Sequence, residues 1–469
     1  MMKLPIYLTA PSLPFVHSKR CLFLAISLLL PLSISAAPSD ALLPDMNATT
    51  TLKAPIQLRN IDMSTAVKRA VEWHPMVVGA QARTNQQGEE VSFAKSAYFP
   101  QIRSGINTNY RDSAGRSEEA FTVSGSQLVY DFGKVASDVE AAKYGVERAE
   151  ADTLRVIDGL IRETAFAVLE VQRYQFLVRI AGEQVAGVTD LLELSKKRSA
   201  MGASTRADEM QAQSRRESAL AYELQMQSQL ELWKRTLQSL VGSTVPPAVV
   251  SGVPSALNHG CFIDINSLSN VPEVLIAEAQ RSEALANIKS SKADFYPTIT
   301  ADAEAEHYLK ERDRDFDNGQ RLDRNDYTVG LNVNVDLYQG GATTARKRGA
   351  EYALGAADAS KDEALLSISR GLQEAKAQAG SYQQRLSILD SRINSIVETQ
   401  DVYRQQYISL GTRTLLDLLN TEQEIHQARM EKSNTEQDLK RLQIDCLYNA
   451  ANLRGAFALN NDVAVDSHL

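Results

Sequence analysis

The sequence is short of aromatic residues, of cysteine and of long apolar stretches, and each shortage excludes something. Aromatic residues make up 6% of 469 residues, with only two Trp. The three cysteines, Cys21, Cys261 and Cys446, form no CxxC spacing and have no nearby His partner, which excludes the common zinc and redox motifs. Six histidines, at positions 17, 74, 259, 307, 426 and 468, form no HExxH, triad-like or metal-ligand spacing. No glycine-rich loop suited to cradling phosphate is present, so any energy must come from elsewhere. The chain therefore reads as a non-enzyme with no cofactor and no metal. Positive charge is also scarce: 50 Lys and Arg face 58 Asp and Glu, for a net charge of -8. That balance argues against nucleic acid, which requires a basic patch. Only one strongly apolar run occurs, near the N-terminus. A helical protein with several membrane spans is excluded, because each span needs about 20 apolar residues.

What remains is foldable. Apolar residues make up 43% and charged residues 23%. The mean hydropathy of -0.26 suggests a soluble acidic protein. The length suggests roughly three domains of about 150 residues.

Residues 19–37 read KRCLFLAISLLLPLSISAA. Lys19 and Arg20 precede an apolar run, and small residues follow at Ser35, Ala36 and Ala37. This is the layout of a secretory signal peptide over 1–37, with cleavage near Ala36 or Ala37. The leader carries Lys3, Lys19 and Arg20 and no acid, so its removal takes the charge from -8 to -11. Cys261 and Cys446 would remain. In an oxidising periplasm they either pair or stay as two buried thiols, and geometry decides.

The rest of the chain repeats itself. KSAYFPQI (95–102) matches SKADFYPTI (291–299), with Pro100 and Pro297 offset by 197. LVYDFGK (128–134) matches DLYQGG (336–341), with Gly133 and Gly340 offset by 207. MGASTRAD (201–208) matches LGTRTLLD (410–417), with Gly202 and Gly411, and Asp208 and Asp417, offset by 209. Ordered anchors at a nearly constant offset indicate two copies of one large unit. We place an N-terminal tail at 38–55, the first repeat at 56–242, a Pro-, Gly- and Ser-rich linker at 243–270, the second repeat at 271–457 and a C-terminal tail at 458–469.

Each repeat opens with a helical stretch, Asp62 to Ala97 and Glu273 to Ala293, that stops just before proline. Strands follow at about 100–111 and 120–130, then at about 298–309 and 326–338. The last alternates most cleanly: Tyr327, Val329, Leu331, Val333, Val335 and Leu337 share one face. Its partner sets Asp302, Glu304 and Glu306 opposite an Ile299, Ala301, Ala303 and Ala305 face. Strands of about 10 residues with one apolar and one polar face suit a transmembrane β-barrel, while alternation alone favours an amphipathic strand in a soluble sheet. Four strands cannot close a pore, and lipid does not tolerate open edges, so a membrane reading requires subunits that share one barrel.

No proline interrupts 134–200 or 343–409, 67 residues each. At about 1.5 Å per residue each helix could reach about 100 Å. Two adjacent stripes, Val139 to Leu160 and Leu154 to Val168, give the first long helix neighbours on two sides, as in the wall of a hollow α-barrel or in a coiled-coil rod. Each long helix breaks at a turn, AMGAST (200–205) or SLGTRT (409–414). Gly202 and Gly411 suit left-handed C-cap positions, and the following Thr residues suit N-caps. Return helices follow over about 205–241 and 412–457.

This duplicated order of helix, YFP or FYP, strand hairpin, VYDFG or LYQGG, long helix, G-T turn with Asp and return helix resembles the TolC-like outer-membrane efflux and secretion channels, over about 56–457. GTRTLLDLL (411–419) is the most specific piece. The resemblance implies a mainly α fold with a β-barrel part: a homotrimer whose twelve strands form one barrel in outer-membrane lipid, continued by twelve helices across the periplasm. It implies a periplasmic gate at Asp417, Asn420, Arg413 and Asp208. Asn420 stands where the family commonly has a second Asp, and Asp208 is the expected counter-charge of Arg413. For Asp417 and Asp208, helix capping is the competing role. The turns with Gly202, Thr205, Gly411, Thr412 and Thr414 are implied to dock a periplasmic adaptor, the membrane fusion protein. An inner-membrane ABC exporter, or a resistance-nodulation-division pump, would supply energy. Asp302, Glu304 and Glu306 are expected to face the lumen and favour cations. Type I protein secretion is the cargo reading, multidrug efflux the alternative, and a periplasmic coiled-coil structural protein the reading of a different class.

Overall fold

The computed structural model describes residues 54–111, 116–250, 252–262, 268–309 and 323–459. The proposed signal peptide, most of the N-terminal tail and residues 460–469 of the C-terminal tail lie outside the described residues. The described part belongs to a single unit, Leu52–Leu469.

The first repeat contains β1 (Asn60–Ile61), α1 (Met63–Trp73), α2 (Pro75–Ser96), β2 (Gln101–Arg111), β3 (Arg116–Tyr130), α3 (Lys134–Ala200) and α4 (Arg206–Val241). The helical stretch expected from Asp62 to Ala97 is two helices. Pro75 cannot donate into the ladder and restricts His74, which is extended and caps α2 instead. The segment expected as a linker carries β4 (Ala248–Val249), paired in parallel with β1, and a 3-10 turn at Ser255–Phe262.

The second repeat contains α5 (Pro272–Ala293), β5 (Thr298–Tyr308), β6 (Asn325–Asn334), α6 (Ala342–Gln405), α7 (Leu415–Asn449) and α8 (Leu453–Ala456). Strand β6 stops at Asn334, short of the expected 338, although the alternation continues to Leu337. The return helix also ends early. Ala451 adopts a positive φ of 55°, which turns the chain into α8. The structural counterpart of Gly133 is Gly341, one residue beyond the sequence match: both cap the following helix, at φ 88° and 89°.

Helix α3 is the spine. It packs against α2 and α5, which lead into the strands, and against α4 and α7, which return from the turns. Helix α6 packs on α5 and α7. Four helices thus lie side by side, with α3 and α6 running through. Midway along α3 the main core gathers Ile157, Leu160, Ile161 and Val168 with Met63 and Ala66 of α1, Leu237 and Val241 of α4, and Ile444 and Leu447 of α7. Cys261 and Cys446 are joined by a disulfide beside this core, fixing the 3-10 turn to α7.

Buried Asp158 on α3 meets Arg454 of α8, with Nε 2.9 Å from Oδ1. Burial, partly offset by Arg454, pushes the Asp158 carboxyl up to about 6 from 3.8. The folded state therefore holds a proton that the unfolded state has lost, and stability falls as pH rises through about 4 to 6. The difference amounts to about 3 kcal/mol. Melting the detergent-purified protein at pH 4.5 and 7 should show this decline, and Asp158→Asn should flatten it. An equal decline in the variant would contradict the assignment.

Candidate membrane sheet and periplasmic tip

The four strands form one antiparallel sheet in the order β2-β3-β5-β6, so the two hairpins join through β3 and β5. The register fixes its faces. Gln101, Ser126 and Asp302 share one row; Arg103, Ser124, Glu304 and Thr328 share the next; Thr122, Glu306 and Asp326 share a third. The intervening rows carry Ile102, Ile106, Phe121, Val123, Ala303, Val329, Leu331 and Val333. This second face is bare: Val329 is 83% and Leu331 75% exposed. Among the described residues no strand pairs with the outer edge of β2 or β6. No helix among the described residues is long and apolar enough to cross a membrane.

At the foot of the sheet the two matched motifs place Tyr98, Phe99, Phe295 and Tyr296 together with Tyr130 and Phe132, all exposed. Phe132 stacks on Tyr296 with ring centroids 5.1 Å apart. Amphipathic rings of this kind concentrate where apolar tails meet headgroups. Just below, Asp294 ties the start of α3 to the start of α6. It contacts Lys134 and Arg346, each at 2.6 Å. Burial raises its pKa, but those hydrogen bonds and charges hold it below the usual value.

The three acids named from sequence lie together on the polar face. Ser126 Oγ donates to Asp302 at 2.5 Å and Thr300 Oγ1 at 2.9 Å. Tyr308 donates its hydroxyl to Glu306 at 2.7 Å. Sequence reading missed Arg103, because alternation in β2 is irregular; the register sets it in the Glu304 row.

At the other end of the helices stand the two turns. Gly202 and Gly411 have φ of 72° and 64°, a region that side chains disfavour. Thr205 and Asp208 form a reciprocal capping box for α4, and Thr414 and Asp417 form one for α7. Hydrogen bonds from Ser204 and from the Thr205 backbone hold the Asp208 carboxyl below its ordinary range. Gly202, Thr205, Gly411, Thr412 and Thr414 are all exposed.

Arg413 and Asp208 are not brought together within the protomer. The Arg413 guanidinium lies 4.1 Å from the Tyr403 ring centre, and its Nε donates to Gln406 at 3.1 Å. Asn420 accepts from Arg215 of α4 at 3.4 Å, and Gln423 accepts from the same side chain at 2.7 Å. A second link was not legible. Arg198, at the end of α3, lies 4.5 Å from the Tyr407 ring centre and donates to the Ile408 carbonyl at 3.5 Å. Tyr407 belongs to a short π-helical turn, Gln406–Leu410, and is buried with Leu191, Leu418 and Leu419. Such wide turns frequently mark functional sites.

A sheet with a bare apolar face, open edges and an aromatic foot, set at one end of long helices, is the architecture found by comparison. Residues 66–243 and 266–451 match the model of the outer membrane efflux protein family. The chain belongs to this family. It is similar to outer membrane protein TolC of Vibrio cholerae, 24% identical over 422 residues that cover 87% of this chain and 92% of TolC. It is also similar to the alkaline protease secretion protein AprF of Pseudomonas aeruginosa, 22% identical over 68% of this chain and 66% of AprF. Among solved structures, the outer membrane protein VceC of Vibrio cholerae superposes with a TM-score of 0.70 at 18% identity, covering 83% of this chain and 95% of VceC. The protein is thus an outer-membrane channel component extending into the periplasm, and not an enzyme.

Proposed function

We propose that three copies close one barrel and that the chain is the passive exit duct of a tripartite export system. The observation carrying this reading is the pair of unpaired strand edges on an apolar sheet, which only lateral closure reconciles with lipid. The helices support it. α6 buries few of its residues, leaving Tyr352, Leu366 and Ile388 bare, while α4 leaves Leu224 and Leu232 bare at the opposite flank. Each flank would meet a neighbouring protomer. The exposed turns would dock a membrane fusion protein, and an inner-membrane pump would supply energy. Opening is then a shift between two tip conformations biased by adaptor contacts. Asp208 and Asp417 shape the turns as caps, while Arg413, Asn420, Arg198 and Arg215 hold the closed arrangement.

Protein secretion is the cargo reading, supported by similarity to a protein named for protease secretion. The family description favours small-molecule efflux as the second reading. Deleting the gene separates them: loss of a secreted protein supports the first, and drug hypersensitivity with an unchanged secretome supports the second.

The polar face should make the duct cation-selective, with Arg103 opposing the acids. Replacing Asp302, Glu304 and Glu306 by Ser should shift the reversal potential in a salt gradient toward zero or into anion preference. Arg103→Ser should shift it the other way. Unchanged reversal potentials in both would show that these residues do not line the conduction path.

A further inference from the structure

Glu422 is a buried acid inside the helical wall, two turns from the start of α7. One of its oxygens lies 2.9 Å from Nε2 of His426, also buried, and the other accepts from Gln400 of α6. Its carboxylate occupies the space that a side chain at Gly187 of α3 would need: a Cβ there would fall 1.8 Å from Glu422 Oε1. The ring Nδ1 of His426 is buried without a partner. On one side lies the apolar cluster of Leu191, Leu418 and Leu419, and on the other that of Ile396, Ile425 and Ala428. A buried polar group amid such clusters is costly unless its bonds are kept, so it specifies one alignment of its neighbours.

We propose that Glu422 is a positioning residue for the periplasmic tip. Seated against Gly187 and tied to Gln400 and His426, it locks α7 in register with α3 and α6. Sliding α7 by a few ångströms would strip both bonds and drive the carboxylate into the α3 backbone. The tip therefore opens by bending the segment between the knot and the Gly411 turn, and not by shearing whole helices. This rests on the duct reading.

Four variants in the full-length protein test it, by resting conductance in planar bilayers and by the rate of limited trypsin cleavage after Arg404 or Arg413. Glu422→Leu and Gly187→Ala should raise both by about tenfold, the scale of breaking one buried polar contact. Glu422→Gln keeps the shape and the bonding capacity and should behave as wild type. Gly187→Ala combined with Glu422→Ala refills the slot without polar bonds and should stay leaky. Unchanged rates in the first two, a leaky Gln variant, or restored closure in the double variant would each overturn the proposal. Should Glu422→Leu or Gly187→Ala fail to assemble, Gln400→Leu at the half-buried partner decides in the same way. A wild-type protein that never conducts would contradict the duct reading, while the trypsin rates would still decide the register lock.

Discussion

Replacing Cys261 and Cys446 by Ser lowers the melting temperature of the detergent-purified protein by about 6 °C, an effect of about 5 kcal/mol. The size follows from sequence separation. The bond joins residues 185 apart, and cross-linking so long a loop removes a large share of the unfolded chain's freedom. In the folded state the 3-10 turn is pressed against α7. A Cβ on Gly260 would fall 2.5 Å from the Gln443 carbonyl oxygen, and Gln443 Nε2 donates to the Asn258 carbonyl at 2.8 Å. Differential scanning fluorimetry with and without reductant checks this. An identical melting temperature in the Ser variant, with no free thiol in the wild type, would show that the staple contributes little.

Arg198→Ala raises the resting open fraction of the tip by about tenfold. A half-buried cation over an aromatic face is worth about 1 kcal/mol. Removing it also loses the donor to the Ile408 carbonyl. The consequence is local because Arg198 ends α3 in the first hairpin, while Tyr407 and Ile408 belong to the second. It is one of the few side chains that bridge the two repeats at the tip. Arg198→Lys should recover only part of the effect, since Lys offers no planar stack. Tyr407→Leu keeps the apolar packing and should be nearly as leaky as Arg198→Ala. Single-channel recordings decide: leak in Arg413→Ser but not in Arg198→Ala would move the closing contact to a link between protomers.

The duplicated unit, the period-2 strands and the proline-free helices are local patterns, so they were visible along the chain. The turn glycines and the Thr and Asp that follow were legible for the same reason: capping is a matter of spacing within one turn. In the structure both Asp side chains complete capping boxes. Contacts across the duplication were not legible. Arg198 meets Tyr407 across 209 positions, and Glu422 finds its slot only where α3 presents Gly187. His426 reads from sequence as an ordinary helical residue. Only burial beside Glu422 distinguishes it. Arg103 was hidden because its face depends on register with β3, not on its own strand's pattern.

The acidic, apparently soluble composition follows from this arrangement. The most continuous bare apolar surface lies on short strands, too few residues to move the average. The charged residues spread over long helices whose ion pairs, such as Arg162 with Asp445 at 2.6 Å and Arg173 with Asp438 at 2.6 Å, join neighbouring helices. Burial pushes the Asp445 carboxyl up, though Arg162 opposes it.

The proposed duct requires three protomers to complete the sheet by lateral closure. Native mass spectrometry of the protein released from outer membranes by detergent tests it most directly. The expected species has three chains and is released only by detergent. A monomer, or a protein freed by salt alone, would contradict it.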